Sequence, residues 1–367
     1  MRWLSSSSAA PRLAAYPAAI LLIAVTVPVT ACTGPPSCAQ NVDDTYVGSD
    51  QQAISLPIAP TALDGGVWGV WIASSSDDAL WHVAANGSTS GPYLLDGSPS
   101  AIVDSSTCAD GNRPWVALSD QGTVVEVDVK NNRVLHSVSV GKDPVALLES
   151  DSALWVANAA SDSVTRIDMS SASVTATIPV GRDPRSLAFN HDSNIVYVAN
   201  HGDNSISVID AQAAIVVNTI QVGKGPVSVA YDSEYPALNP SDNVPAKLWV
   251  ADDESKTVER IDPITNTVVR TWSLQANPIS VLPDLDQAWV LEADNKLIAL
   301  DDSSEQNLGQ PAASVGSHPV AAILQSSGDL LQVWEVIWVA SLGTPTISRF
   351  GGVLENGCGV DLLTCSG

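Results

Sequence analysis

The chain has 367 residues and carries 40 acidic against 16 basic side chains, a formal charge of −24 at neutral pH. Such a surface repels phosphates and anionic lipid headgroups, which excludes nucleic acid and leaves a lipid anchor as the one route to a membrane. Five cysteines are present, with no Cys-x-x-Cys-His haem attachment and no zinc-like cluster.

Residues 1–31 have the form of a secretion leader, with Arg2 and Arg12 followed by an apolar stretch from Leu13 to Val29. Pro17 and Pro28 interrupt that stretch, and no later segment approaches the ~20 apolar residues of a membrane span. The leader ends Val29-Thr30-Ala31-Cys32, which resembles the bacterial lipobox, where the cysteine after the cut receives a diacylglycerol. The resemblance implies lipidation of Cys32 and a protein outside the cytoplasm, tethered to the bacterial membrane; the alternative is an ordinary cleavage site. Residues 32–51 supply a tether, rich in small polar residues and containing Gly34-Pro35-Pro36. Loss of the leader removes two cations and no acid, taking the charge from −24 to −26.

From residue 52 to residue 350 one pattern repeats. An aromatic-apolar-small motif recurs at Trp71, Trp115, Trp155, Tyr197, Trp249, Trp289 and Trp338, spaced by 44, 40, 42, 52, 40 and 49 residues. Leu154 to Leu187 shows the full unit. A buried strand, Leu154–Asn158, is followed by the alternating strand Ser163–Asp168, then by Val174–Val180; Gly181-Arg182-Asp183-Pro184 breaks the chain before the next unit. Four short antiparallel strands per ~40–45 residues predict an all-β, seven-bladed β-propeller, with the aromatic anchors packed between blades.

The sequence resembles the YVTN-type β-propeller repeat proteins. The residues that carry this are Tyr197-Val198-Ala199-Asn200, Asn204 to Asp210, Val217 to Gly223 and Pro226. The same grammar recurs at Ile167-Asp168, Ile261-Asp262 and the turns before Pro144, Pro184 and Pro278. The resemblance implies the fold and an extracytoplasmic setting, and says little of function.

The last unit lacks a fourth strand, whereas Ala53 to Ile58 mimics one with no strands before it. The N-terminal strand is therefore expected to complete the seventh blade and close the ring, with both sheet edges paired. The closed ring is expected to act as a monomer. Counting strands outward from the axis, the tether, the tail of residues 351–367, and the one-to-two loop holding Cys108 fall on one face. Cys38, Cys108, Cys358 and Cys365 thus share a face, and two disulfides are expected, with Cys358–Cys365 and Cys38–Cys108 the favoured pairing. Ser233 to Ala246 and Ser326 to Gln332 lengthen one-to-two loops on that face.

The opposite face carries acidic turns, among them Ser76-Asp77-Asp78 and Asp252-Asp253-Glu254, and also Lys142, Arg182 and Lys224 at equivalent positions two residues before a proline. Acidic turns are one way to hold Ca²⁺, although Asp and Ser also suit tight turns with no ion; no cofactor is expected. The three cations are a candidate arc for an anionic ligand at the channel mouth; the alternative is a rim paired with Asp143, Asp183 and their neighbours. No nucleophile elbow, phosphate loop or His-Glu-x-x-His motif occurs. The expected function is non-catalytic binding or scaffolding at the cell envelope, with a protein, peptide or glycan partner; the alternative is a lyase or hydrolase acting at the channel mouth.

Overall fold

A computed structural model describes residues 52–66, 69–84, 87–105, 113–150, 153–233, 246–284, 287–302, 311–329, 332–343 and 345–350. These residues build seven four-stranded antiparallel sheets, the blades of a β-propeller. Blade 4 shows the plan: Pro184–Asn190, Ile195–Asn200, Ser205–Asp210 and Ile215–Gln221 lie side by side from the axis outward. The second strand is buried along almost its whole length and the outermost is mostly exposed. Each blade covers its neighbours' inner strands, which is why those positions read as continuous apolar runs.

The aromatic repeat lies in this core. Trp71, Trp115, Trp155, Tyr197 and Trp249 are all buried, with exposures of 0–1%. A buried indole still needs a partner for its N–H. Trp155 Nε1 donates to Ser150 Oγ at 2.8 Å, and Trp289 Nε1 to Asp284 Oδ2 at 2.9 Å, each from the end of the innermost strand of its own blade.

The ring closes as expected. Gln52–Ser55 is the outermost strand of blade 7, antiparallel to Thr346–Phe350 with Ile54 opposite Ile347. One expectation is corrected in this blade. Ser326 to Gln332 is not a lengthened loop; the two inner strands continue as a hairpin, Pro319–Asp329 and Gln332–Ser341, with Asp329 opposite Gln332. Continuing the ladder satisfies backbone groups that an open loop would leave to solvent.

The leader, Cys32, the tether, Cys38, Cys108, the tail with Cys358 and Cys365, and residues 234–245 of the other insertion lie outside the described residues. Among the described residues no helix is long and apolar enough to cross a membrane.

Candidate binding site at the channel mouth

Each blade is entered through a tight turn at the mouth of the channel. In several of these turns the residue before the proline adopts the left-handed conformation: Asp143 at φ 52°, Asp183 at 52°, Gly225 at 67° and His318 at 54°. Short polar side chains and glycine tolerate that region best. The glycine that opens such a turn is set by packing. A Cβ on Gly141 would stand 2.7 Å from Asn158 Cβ, and one on Gly181 2.8 Å from Asn200 Cβ. Without that Cβ, Gly141 N–H reaches Asn158 Oδ1 at 3.0 Å and anchors the turn to the second strand of the following blade.

Of the three candidate cations, Arg182 is tied down. Its Nε stands 2.6 Å from Asp203 Oδ1, its backbone N–H donates to Asp203 Oδ2 at 2.6 Å, and Nη2 donates to the Gly202 carbonyl at 2.8 Å. Its carboxylate partner is thus Asp203 rather than the adjacent Asp183. Lys142 and Lys224 are exposed, and their backbone N–H groups donate to Ser161 Oγ at 2.7 Å and Ser255 Oγ at 2.9 Å. The arc exists as a row of equivalent positions, with its central charge neutralised on the rim.

Between Arg182 and Lys224 the turns assemble a second network. Asp183 Oδ2 accepts from Arg185 Nε at 3.0 Å and lies 2.9 Å from Arg185 Nη2. The same oxygen stands 3.4 Å from His201 Nδ1, and His201 Nε2 stands 3.2 Å from Asp253 Oδ1. The imidazole is largely enclosed, its side chain 16% exposed. The network joins the entry turn of blade 4 to the second turns of blades 4 and 5. Gly225 makes room for it, since a Cβ there would stand 3.0 Å from His201 Nε2.

The electrostatics follow from these contacts. The hydrogen bonds to Asp183 and Asp253 raise the His201 imidazole to about 9, against a smaller opposing effect of burial. Burial works to raise the Asp183 carboxyl, but hydrogen bonds from His201 and Arg185 outweigh it and hold the group at about 2. Burial and the Asp183 charge raise the nearby Asp143 carboxyl, with Arg185 opposing. Both ring nitrogens of His201 face carboxylates, so near neutral pH the ring is an imidazolium with no lone pair to take a proton.

Asp253 belongs to one of the acidic turns of the sequence, yet nothing there brings it to Arg185 and His201, because the three meet from different turns. One signal was present. Gly225 stands where blades 3 and 4 have Asp143 and Asp183, and that substitution opens the space His201 and Asp253 share. The acidic turn of blade 1 is internally bonded: Asp77 Oδ2 accepts from Ser74 Oγ at 2.6 Å and Ser76 Oγ at 2.9 Å. At the seam of blades 5 and 6, Asp302 gathers Lys247 Nζ at 3.0 Å and the guanidinium of Arg260. Among the described residues, no three His, Cys, Asp or Glu side chains are grouped closely enough to hold a metal ion.

No protein-family model matches the chain, and no curated protein matches it. Solved structures do. A chain of the "Crystal Structure of Mitotic Checkpoint Complex" superposes with a TM-score of 0.66 at 16% identity, covering 89% of this chain and 99% of that one. A chain of Kuenenia stuttgartiensis hydrazine synthase superposes with a TM-score of 0.61 at 15% identity, covering 86% of this chain and 100% of that one. At these identities the likeness establishes the β-propeller fold and nothing of activity.

Proposed function

We propose that the chain is a non-catalytic binding propeller of the bacterial cell envelope, of the YVTN-repeat type, that docks a polar partner on its channel-mouth face. The observation that carries this reading is the placement of His201, with Nδ1 3.4 Å from Asp183 Oδ2 and Nε2 3.2 Å from Asp253 Oδ1. Pinned between Asp183 and Asp253, it is a fixed cation with both nitrogens engaged. A general base needs a free lone pair near the operating pH, whereas a recognition surface needs charges whose positions are set before the ligand arrives. The mouth of blades 3 to 5 supplies the second. Lys142 and Lys224 stand exposed on either side of a hydrogen-bonded Arg-Asp-His-Asp cluster. An envelope protein segment, a peptide or a glycan presents the mixture of donors and acceptors that such a surface complements.

The setting rests on the leader and on Val29-Thr30-Ala31-Cys32. Two experiments test the reading. The mature propeller is screened on peptide and glycan arrays beside a variant carrying Lys142→Glu, Arg182→Glu and Lys224→Glu; hits lost in that variant support mouth-face binding, and hits retained in full oppose it. Separately, the full chain is expressed in a bacterium fed an alkyne-bearing fatty acid. Label on the wild type and none on Cys32→Ser supports the anchor, and equal absence from both removes it.

A further inference from the structure

The other end of the channel carries carboxylates of its own. Every innermost strand starts at the mouth and runs away from it, and in blades 1, 2 and 3 the far end carries a carboxylate. Asp64 lies in Ala62–Gly66, Asp104 follows Pro99–Val103, and Glu149 lies in Pro144–Ser150. Asp104 and Glu149 each stand five residues after the entry proline; the same position holds Phe189, Tyr231 and Pro283 in blades 4, 5 and 6. At that position the carboxylates are confined to blades 2 and 3, with Asp64 beside them in blade 1; Asp232 and Asp284 end the innermost strands of blades 5 and 6 one residue further on, where Asp284 accepts from Trp289 Nε1.

Asp64 is fully buried, with 0% exposure. Its Oδ2 accepts the Asp104 backbone N–H at 2.7 Å, while Oδ1 has no hydrogen-bond partner. A buried carboxylate oxygen left unpaired costs free energy that a positive group would offset. The charges felt by Asp64 are its acidic neighbours: burial, then the charges of Asp104 and Glu149, hold its carboxyl well above the ordinary range, against the pull of the Asp104 and Gly65 backbone N–H groups. Burial, then the charge of Asp104, pushes Glu149 up to about 7. Glu149 is only partly buried, so the group has an accessible member.

We propose that this end of the channel receives an ammonium or guanidinium group carried by a basic partner, with Glu149 as the contact and the unpaired Oδ1 of the buried Asp64 behind it. The carboxylates are not grouped closely enough for a metal ion. A lysine or arginine head, with several N–H donors, bridges acceptors that a single ion does not. The chain's net charge of −24 draws such partners in. This site lies at the opposite end of the channel from the mouth network and stands or falls independently of it.

The test uses isothermal titration with a capped hexapeptide alternating lysine and alanine, and with the same peptide carrying norleucine for lysine. The proteins are the wild type, Glu149→Gln, Asp64→Asn with Glu149→Gln, and a control with Asp77→Asn and Asp78→Asn that loses equal charge at a mouth-face turn. Glu149→Gln changes a partly exposed side chain and serves if the double variant fails to fold. The lysine peptide is expected to bind the wild type and to weaken about tenfold in the Glu149→Gln proteins, staying within about twofold in the control. Binding near pH 7 should release protons as Glu149 ionises, seen as buffer-dependent heats that vanish in Glu149→Gln. Equal weakening in the control, or equal binding of the norleucine peptide, overturns the proposal. So does Ca²⁺ alone raising the melting temperature of the wild type but not of the double variant while the peptide binds all proteins alike.

Discussion

Asp252 and Glu259 are buried carboxylates on adjacent strands of blade 5, at the positions where blade 3 has Asn158 donating to Thr165 Oγ1 at 3.0 Å. The amide-to-hydroxyl bond of blade 3 thus becomes a pair of acids. Asp252 Oδ2 accepts from Thr257 Oγ1 at 3.0 Å, Oδ1 has no partner, and Glu259 accepts the Gly223 N–H at 3.3 Å. Burial and then the Glu259 charge push Asp252 up to about 8.

That pair makes stability depend on pH with a definite sign. Between the ordinary carboxylate value of 3.8 and the folded value of about 8, the native state holds a proton that the unfolded state has lost. Stability therefore falls as pH rises through that window. Asp252→Asn restores the amide of blades 3 and 4. It should be more stable than the wild type by ~1–3 kcal/mol above that window, and should flatten the pH dependence. Urea denaturation of both proteins at about pH 5 and about pH 9 checks this.

The His201 network titrates in the same sense, over a higher range. Because its folded value of about 9 exceeds the ordinary 6.5, the stability it contributes is complete below pH 6.5 and is lost as pH rises through about 9. Proton NMR of the imidazole should show a midpoint near 9 for His201, and one below 6.5 for His82, which burial lowers. Removing one partner charge in Asp253→Asn should bring the His201 midpoint down by about one unit. A His201 midpoint at the ordinary value would show that the ring is not held as drawn.

Trp155 represents the repeat. With its ring fully buried and its N–H on Ser150, Trp155→Ala should cost ~3–5 kcal/mol, and Trp155→Phe, which keeps most of the volume, markedly less. Chemical denaturation midpoints at constant slope measure both.

Ring closure is equally open to test. Deleting Gln52–Ser55 leaves the outer edge of Thr346–Phe350 unpaired. The melting temperature should drop by roughly 5–10 °C, and the exposed edge should promote association visible by light scattering. An unchanged melting temperature would mean that the strand does not hold the ring.

The sequence disclosed the blades because burial on both faces forces a period and a composition on every second strand, from Trp71-Ile72-Ala73 to Trp338-Val339-Ala340. Ring closure was legible for the same reason, as one strand too many at one end and one too few at the other. Charge partners were not. Arg182 pairs with Asp203 rather than its neighbour Asp183, because the entry turn turns Asp183 inward toward Arg185 and His201. Asp64 escaped notice because its blade has an irregular first strand, Ala62-Leu63-Asp64-Gly65-Gly66, and its environment comes from the blades that follow. Contacts made between repeats leave no spacing within one repeat to detect.

The mouth face is the proposed binding surface. The most direct measurement is the affinity of the strongest array ligand for three proteins: the wild type, the variant with Lys142, Arg182 and Lys224 each changed to Glu, and a Lys130→Glu control between the outer strands of blade 2. If the mouth face binds the ligand, affinity falls by at least about tenfold in the mouth variant and changes within about twofold in the control, with melting temperatures alike. Equal affinity for all three would contradict mouth-face binding.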